Sequence, residues 1–165
     1  MKYLFLTFLA ALTLMANEGK LIIDAKKFEA NDAKGISIFT GNVKLKKAED
    51  RLNSDRLDVY MSAKSSTKKR SPLKYIATGN VTFEIVSQDK HYEGKGDKVI
   101  YYPSKQQYEI IGNGFIKEKI EDRKIYGNKI YINQITGEAK VSGTDSKPVR
   151  FIINIEDKKE KKADK

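Results

Sequence analysis

The sequence predicts an all-β protein in which antiparallel strands follow one another along the chain. Apolar and polar residues alternate with a period of two, as in Phe39–Leu45, where Phe39, Val43 and Leu45 share one strand face. Short polar turns such as Asn31–Gly35 separate these segments, and no segment keeps a 3.6-residue period over a useful length. Hairpins joined by short turns indicate a meander, whose apolar face is buried when two sheets face each other or one sheet rolls on itself.

A glycine-containing strand unit recurs along the chain. Thr40-Gly41-Asn42-Val43 returns as Thr78-Gly79-Asn80-Val81, as Ile111-Gly112-Asn113-Gly114 and, more loosely, as Thr136-Gly137-Glu138-Ala139. Glycine within a strand allows a bend or the close approach of a neighbour. Because the intervals between copies are unequal, we interpret the chain as one paired-strand unit repeated with loops of different length.

A second kind of segment follows the glycine units, with a small residue, a polar pair and then an apolar-x-apolar strand. Its copies are Leu52–Tyr60, Gly96–Tyr101 and Gly127–Ile132, with a forerunner at Ala25–Ala30. In the first copy the alternation changes parity between Ser54 and Leu57. One extra residue near Asp55 and Arg56 would return the following apolar side chains to the same strand face, so we expect a β-bulge there.

These patterns place the predicted elements in order along the chain. The strands are 21–25, continuing after a bulge into Phe28 and Ala30, then 36–48, 52–61, 73–86, 91–102, 108–120, 124–133, a short segment within 134–142, and 149–155. Turns are predicted at 31–35, 49–51, 87–90, 103–106 and 121–123, and loops at 62–72 and 143–148.

The N-terminus has the pattern of a cleavable secretory signal peptide. Lys2 is followed by an apolar run over 3–16 that ends at Ala16, and polar residues come next. The run is shorter than the roughly 20 residues of a membrane-spanning helix. We therefore expect residues 1–16 to be removed, the folded domain to cover 17–155, and the mature protein to lie in the periplasm. An uncleaved anchor is the alternative.

The net charge and the absence of cysteine indicate what the folded chain depends on and which kinds of molecule it could bind. The net charge is +10 and there is no cysteine, so an exported chain would depend on its core without disulfides. Lysines concentrate in the loop 62–72 and in the tail 156–165, which we expect to be disordered. A basic surface suits nucleic acid, phosphorylated lipid or acidic protein. Export disfavours nucleic acid, and solvation alone also explains a lysine-rich surface.

The residues that could carry catalysis are few. His91 is the one histidine, and it follows a polar turn, where a solvated side chain is the ordinary interpretation. The sequence has no nucleophile motif, no glycine-rich loop before a helix and no histidine or cysteine cluster with metal spacing. We therefore predict a protein that is not an enzyme, with no catalytic residues, no metal and no cofactor.

The inward apolar residues are the candidate binding residues. They are Phe28, Phe39, Val43, Leu45, Leu57, Val59, Val81, Phe83, Ile85, Val99, Tyr101, Ile110, Ile116, Ile130 and Ile132, with Ile135 and Val141 also predicted to face inward. Such a set forms either a packed core or, where two layers splay apart, a groove for acyl chains. Alternation alone does not separate these two interpretations.

The repeated units resemble the OstA-like family of periplasmic lipopolysaccharide-transport proteins. The likeness is strongest over Leu21–Val59, in Phe39-Thr40-Gly41-Asn42-Val43 and in Leu52-Asn53-Ser54-Asp55-Arg56-Leu57-Asp58-Val59, and weaker copies extend it to about Val141. The family usually has Ala-Asp where this chain has Ser54-Asp55. Other departures are the basic insertion at 62–72, Gly114 in place of a valine, and the lysine-rich tail.

The resemblance implies a twisted antiparallel β-jellyroll, V-shaped in section, whose interior groove takes the acyl chains of lipid A. It also implies end-to-end association by strand addition, both with itself and with two partners. These are an inner-membrane anchored jellyroll component and the jellyroll of an outer-membrane translocon, which together would form a bridge for lipopolysaccharide in outer-membrane biogenesis.

Two alternative functions remain at this stage. The first is the anchored inner-membrane component of the same pathway, which keeps its N-terminal helix. The second is a basic periplasmic β-sandwich with a fully packed core that binds an acidic polymer or protein.

Overall fold

The structure, a computed structural model, describes residues 20–86 and 90–155. The predicted signal peptide, the predicted tail and residues 87–89 of one predicted turn lie outside them. The described residues form ten strands: β1 Leu21–Asp24, β2 Lys27–Asn31, β3 Ile36–Lys47, β4 Asp50–Met61, β5 Pro72–Val86, β6 His91–Tyr102, β7 Gln107–Glu118, β8 Arg123–Asn133, β9 Glu138–Ser142 and β10 Arg150–Ile152. The one helical segment in these ranges is a short 3₁₀ turn at Pro103–Lys105.

All the predicted strands are present, but several ends differ. The turn predicted at 49–51 is instead a two-residue turn at Ala48 and Glu49. Ala48 has a φ of 52°, and Asp50 already pairs with Lys47. The predicted strand 108–120 ends at Glu118, whose side-chain oxygens accept the N–H groups of Ile120 at 2.9 Å and Glu121 at 2.7 Å and so close the turn. The last strand is also shorter than predicted, at Arg150–Ile152.

The strands form one antiparallel sheet with a mostly sequential order. From β3 to β8 each strand pairs with the next one in the chain, which confirms the predicted meander. The ends of the sheet are divided, because β1 and β2 both pair with β3, and β9 and β10 both pair with β8. The sheet therefore has a first edge made of β1 and β2 and a last edge made of β9 and β10.

The sheet curls until its inner face covers itself. Leu45 of β3 and Tyr108 of β7 line the same cavity, although four strand spacings would separate them by about 19 Å in a flat sheet. Val43, Leu57 and Ile130 have no solvent exposure, which a single-layered sheet does not allow. Of the two arrangements that the alternation permitted, the structure has one rolled sheet.

The recurring Gly-Asn pairs form a row of β-bulges. Register shifts fall between Thr40 and Val43, between Thr78 and Val81, and between Ile111 and Gly114. At each shift the Gly and the Asn both have positive φ: 85° and 47° for residues 41 and 42, 81° and 46° for residues 79 and 80, and 76° and 48° for residues 112 and 113. Glycine and asparagine tolerate this conformation best, which explains why these two residue types recur together.

The second segment type supplies a side chain for the bulge. Asn80 Nδ2 donates to Asp55 Oδ2 at 2.8 Å, and Asn113 Nδ2 donates to Asp97 Oδ2 at 3.0 Å. An irregularity is present near Asp55 as predicted, but the extra residue is not in β4: it lies in the neighbouring strands, at Gly41-Asn42 of β3 and at Gly79-Asn80 of β5. The bulge row bends neighbouring strands at one level, which fits a sheet that curls.

The fourth glycine copy is not a bulge. Gly137 lies in a turn between β8 and β9, with a φ of 70° and nothing within 4 Å of where its Cβ would be. Ile135, predicted to face inward, lies in the same turn and is 64% exposed, so that prediction is wrong. Asn133 Oδ1 accepts the N–H of Ile135 at 2.9 Å and that of Thr136 at 3.1 Å, which favours a turn over a continuing strand.

Candidate functional site

All fifteen candidate residues face the interior of the curled sheet. The strand registers join them in rows that cross the sheet, and one row runs Phe28, Phe39, Leu57, Ala77, Val99, Ile110, Ile130, Val141. A second row runs Val59, Tyr75, Tyr101, Tyr108, Ile132. A third runs Ile23, Leu45, Leu52, Phe83, Gly94, Ile116, Ile125. Val43, Val81 and Ile85 alternate with members of these rows along β3 and β5, so all fifteen candidates and Val141 share the inward face, while their binding of lipid stays a prediction.

The interior is packed at its centre and open elsewhere. Eight of the candidates are buried core residues: Val43, Leu57, Val59, Val81, Val99, Ile110, Ile116 and Ile130. Phe39, Leu45, Phe83, Ile85, Tyr101 and Ile132 are partly exposed, and Phe28 is 58% exposed at the first edge. The packed-core and groove interpretations each describe a part of the same surface.

Small residues at the level of the bulges bring the strands close together. A Cβ on Gly96 would lie 2.6 Å from Ile110 Cγ2, and one on Gly114 would lie 2.8 Å from the Gly127 carbonyl oxygen. Ser54 is buried at this level, and its hydroxyl donates to the Arg56 carbonyl at 3.0 Å. Gly114 therefore preserves the geometry of the third unit, where a valine side chain would have no room.

Two cavities occupy the open parts of the interior. The narrow cavity, of ≈ 120 Å³, is bordered by Leu45, Leu57 and Val99 and by three tyrosines. The wide cavity, of ≈ 500 Å³, is bordered by two isoleucines of β7 and three of β8, with Phe151 of β10 also in its lining; the isoleucines are Ile110, Ile116, Ile125, Ile130 and Ile132. Phe83, Ile85 and Tyr108 line both cavities, so the two adjoin and share one apolar wall.

Charged groups stand at the rim of this interior. Lys47 and Asp50 border the narrow cavity, and Lys90, Glu118 and Arg123 border the wide one. Burial opposes ionisation of Glu118, but the donated N–H groups of its turn and the nearby cations outweigh burial and lower its pKa. Bonding to the Glu121 carboxylate, 3.2 Å away, raises the pKa of Lys90. Charged side chains therefore border an interior whose walls are mostly apolar.

Sequence reasoning omitted several interior residues. The structure adds Leu52, Tyr92, Tyr108 and Ile125 to the inward rows. For Tyr108 the signal was available, since it alternates with Ile110 along β7. For Ile125 the indication was that the inward-facing positions of β8 shift by one residue between Gly127 and Ile130, as those of β4 do between Ser54 and Leu57. Counting back from Gly127 in steps of two places Ile125 on the inward face.

His91, the residue that the sequence analysis considered for catalysis, lies on the outer face of the sheet among other charged residues. His91 Nε2 is hydrogen-bonded to Glu84 Oε1, and Lys119 Nζ lies 3.2 Å from the same carboxylate oxygen and 3.1 Å from Glu93 Oε2. Across residues 20–86 and 90–155, no three His, Cys, Asp or Glu side chains are placed to hold a metal ion. No helix within those same ranges is long and apolar enough to cross a bilayer.

A single curled antiparallel sheet with a bulge row and a partly open apolar interior defines the class of protein as a twisted β-jellyroll. Residues 22–138 match the family model described as "LptA/(LptD N-terminal domain) LPS transport protein", so the chain belongs to that family. The sequence resemblance to OstA-like proteins, and within them to LptA, is thereby confirmed.

A solved structure supports the fold. The chain is similar to LptH of Pseudomonas aeruginosa, the LptA-homologous periplasmic component of its lipopolysaccharide transport device, with a TM-score of 0.70 and 11% identity over 84% of this chain and 98% of LptH. At that identity the likeness shows the fold alone, and it confirms the predicted jellyroll. No curated protein matches the sequence significantly.

Proposed function

We propose that this protein is a periplasmic carrier that binds the lipid A part of lipopolysaccharide in its interior and passes it from the inner towards the outer membrane. The observation that carries the proposal is the pair of adjoining apolar cavities with charged rims. The wide cavity, at ≈ 500 Å³, falls within the roughly 300–1,000 Å³ of small-molecule sites. Each methylene transferred there from water contributes about 0.8 kcal/mol.

Two kinds of interior residue take different parts in this proposal. The buried candidates, such as Leu57 and Ile130, hold the curled sheet together, while Phe83, Ile85 and Ile132 present side chains to acyl tails. Rim cations, including Lys47 and Arg123, lie where the phosphates of the headgroup would meet solvent.

The free sheet edges suit association with further jellyrolls. The first edge exposes Leu21, Ile22 and Phe28, and the last edge exposes Phe151 and Ile152. Strand addition pairs the backbone groups of two such edges and covers their apolar side chains. The proposed partners are another copy of this chain, the anchored inner-membrane jellyroll component and the outer-membrane translocon jellyroll.

Localisation and processing form part of the same proposal. Residues 1–16 would act as a signal peptide, and the jellyroll domain would cover 17–155. N-terminal sequencing of the exported protein is expected to begin near Asn17. A retained N-terminal segment would instead identify the anchored inner-membrane component.

Site-specific photo-crosslinking tests lipid binding. A photoreactive phenylalanine analogue would replace Phe83 or Ile132, which face the interior, and in matched controls their outward-facing neighbours Thr82 and Tyr131. We expect lipopolysaccharide adducts from the two interior positions and a background signal from the outer two.

The reverse pattern would support the alternative in which a basic surface binds an acidic polymer or protein, although the single rolled sheet and its open cavities rule out the fully packed β-sandwich expected for that alternative. That alternative has one observation in its favour, which is an outer concavity of ≈ 790 Å³ bordered by the cations of Lys44, Lys46, Arg51 and Lys95, with the carboxylates of Asp24, Glu84 and Glu93 also on its border. Adducts confined to the outer positions would therefore contradict the carrier proposal.

A further inference from the structure

Positive charge is concentrated in the connections along one side of the sheet. Because consecutive strands are antiparallel, the β2–β3 turn 32–35, the β4–β5 loop 62–71 and the β6–β7 segment 103–106 all lie at this side, which we call the basic side. Asp32 is the one acidic residue of these three connections, and their cations are Lys34, Lys64, Lys68, Lys69, Arg70 and Lys105. At the opposite side, the charged residues in the described parts of the β3–β4, β5–β6 and β7–β8 turns are more evenly divided; they are Glu49, Lys90, Lys119, Glu121 and Asp122.

The loop 62–71 is held against the β2–β3 turn. Arg70 Nη1 donates to Asp32 Oδ1, and Arg70 Nη2 donates to the Asp32 carbonyl oxygen, both at 2.9 Å. Across the base of the loop, the Ser62 N–H donates to the Ser71 carbonyl oxygen at 2.8 Å, and the Ser71 N–H donates to Ser62 Oγ at 3.1 Å. These bonds fix the place at which the loop presents its lysines, so less conformational entropy is lost when the loop binds a partner.

The positive charge of the basic side is not neutralised within the described chain. Asp32 is already shared, since Lys64 Nζ lies 3.6 Å from its Oδ2 and Arg70 is bonded to its Oδ1. Lys68 and Lys69 are exposed, and neither forms an ion pair with any residue in the ranges 20–86 and 90–155. Their charges are therefore available to an anionic partner.

Two tyrosines lie next to lysines at the same side. Lys74 Nζ is 4.6 Å from the ring centroid of Tyr60, and Lys105 Nζ is 5.8 Å from that of Tyr102. Cation–π attraction keeps each ammonium group close to its ring. Tyrosines and lysines are typical of the interface of a bilayer, where the ring meets the hydrocarbon boundary and the ammonium group meets the headgroups.

Exposed aliphatic side chains complete this surface and indicate which anionic partner it fits. Leu73 begins close to the end of the loop and is 51% exposed, and Ile135, in the β8–β9 turn at the same side, is 64% exposed. An acidic polymer would leave these apolar groups in water, whereas a lipid surface covers them while its phosphates meet the lysines. We propose that the basic side docks onto a bilayer surface that contains anionic phospholipid. This inference goes beyond the proposed function, because it concerns the outside of the jellyroll and requires no ligand in the interior.

Vesicle co-sedimentation tests the docking. The exported protein is mixed with phosphatidylcholine vesicles that either contain or lack phosphatidylglycerol, and no lipopolysaccharide is present. We expect binding to the anionic vesicles only, weakening as the salt concentration rises. The partition coefficient of Lys68→Gln/Lys69→Gln should fall about 10- to 30-fold, since each lysine near an anionic surface contributes roughly fivefold.

The matched control is Lys44→Gln/Lys46→Gln, which removes two exposed lysines from the outer face of β3. This variant has the same net charge as Lys68→Gln/Lys69→Gln, but its changes lie away from the basic side. Because salt screens distant charges, its partition coefficient should fall less than about threefold. The difference between the two variants separates docking through the basic side from a general effect of net charge.

A fluorescent label tests which side of the protein meets the lipid. The chain has no cysteine, so a single introduced cysteine carries an environment-sensitive fluorophore at a defined position. Leu73→Cys places the label at the basic side, and Ile120→Cys places it at the opposite side, where Ile120 is 64% exposed. We expect anionic vesicles to shift the emission of the label at position 73 to shorter wavelength and to leave the label at position 120 unchanged.

Several results would overturn the inference. They are no vesicle binding, equal binding to both kinds of vesicle, equal losses for the two lysine pairs, or an emission shift at position 120 as large as that at position 73. Binding of dissolved polyglutamate without binding of vesicles would also overturn it and would assign the basic side to an acidic protein. None of these results bears on the Phe83 crosslink, and absence of that crosslink would leave the docking inference standing.

Discussion

Replacing Gly79 by alanine tests whether the bulge row stabilises the fold. Gly79 has a φ of 81°, and an added Cβ would overlap Asp55 Oδ2 and lie 2.9 Å from Asp55 Cβ. Asp55 would have to move, and its 2.8 Å hydrogen bond from Asn80 Nδ2 would be lost. We expect Gly79→Ala to destabilise the protein through both the backbone conformation and the displaced carboxylate.

The magnitude follows from the two contributions. An alanine in the left-handed region costs roughly 1–2 kcal/mol. Because the hydrogen bond of Asp55 is solvent-exposed, its loss together with the steric displacement adds about 1–2 kcal/mol. The free energy of unfolding should therefore fall by about 2–4 kcal/mol.

Gly137→Ala is the matched control for the backbone contribution. Gly137 has a φ of 70°, but nothing lies within 4 Å of the position of its Cβ. This variant should lose about 1–2 kcal/mol, the cost of the conformation alone. The difference between the two variants isolates the contact with Asp55.

Urea denaturation followed by circular dichroism measures both variants, with the slope m used to check that the unfolded surface is unchanged. Equal losses for Gly79→Ala and Gly137→Ala would refute the assignment of Asp55 as a bulge partner. A loss below about 0.5 kcal/mol for Gly79→Ala would refute the importance of the bulge row altogether.

Two further predictions concern the core and the rim. Leu57→Ala should lower the free energy of unfolding by about 2–5 kcal/mol in the same assay, because Leu57 is fully buried. Leu73 is 51% exposed, so the control variant Leu73→Ala should lose less than about 1 kcal/mol. Similar losses in the two variants would contradict the assignment of Leu57 to the core. Glu118 has a lowered pKa in the folded protein, so its contribution is present above the ordinary glutamate pKa of 4.5 and is lost as the pH falls through the folded value. Urea midpoints measured from pH 3 to pH 7 should therefore show a shallower acid limb for Glu118→Gln than for the unchanged protein, and parallel curves would rule out this role.

Local patterns in the sequence predicted much of the fold because they are set by neighbouring residues. The alternation of Phe39, Val43 and Leu45 identified the inward face, and turn residues placed the strands to within a few positions. The glycine in Thr78-Gly79-Asn80 marked a special backbone conformation, since few other residues adopt positive φ easily. The prediction for Ile135 was wrong because the apolar alternation continues through it, while the Asn133 side chain accepts the Ile135 N–H and so forms a turn there.

The candidate site depended on contacts that no local pattern contains. Val81 and Phe83 have the same alternation, yet Val81 is buried at 1% exposure while Phe83 lines both cavities. The difference arises from what lies across the interior, and that is decided by how far the sheet curls between β3 and β7.

The sequence by itself determined the fold class, the inward face and the family, because a period of two residues and a recurring Gly-Asn pair are properties of adjacent positions. Only the tertiary structure decided which inward residues pack and which border open space, and only it brought Tyr75, Tyr101 and Tyr108 into one stacked row. The reason is physical: burial depends on the layer that faces a residue, and that layer comes from strands far away in the chain.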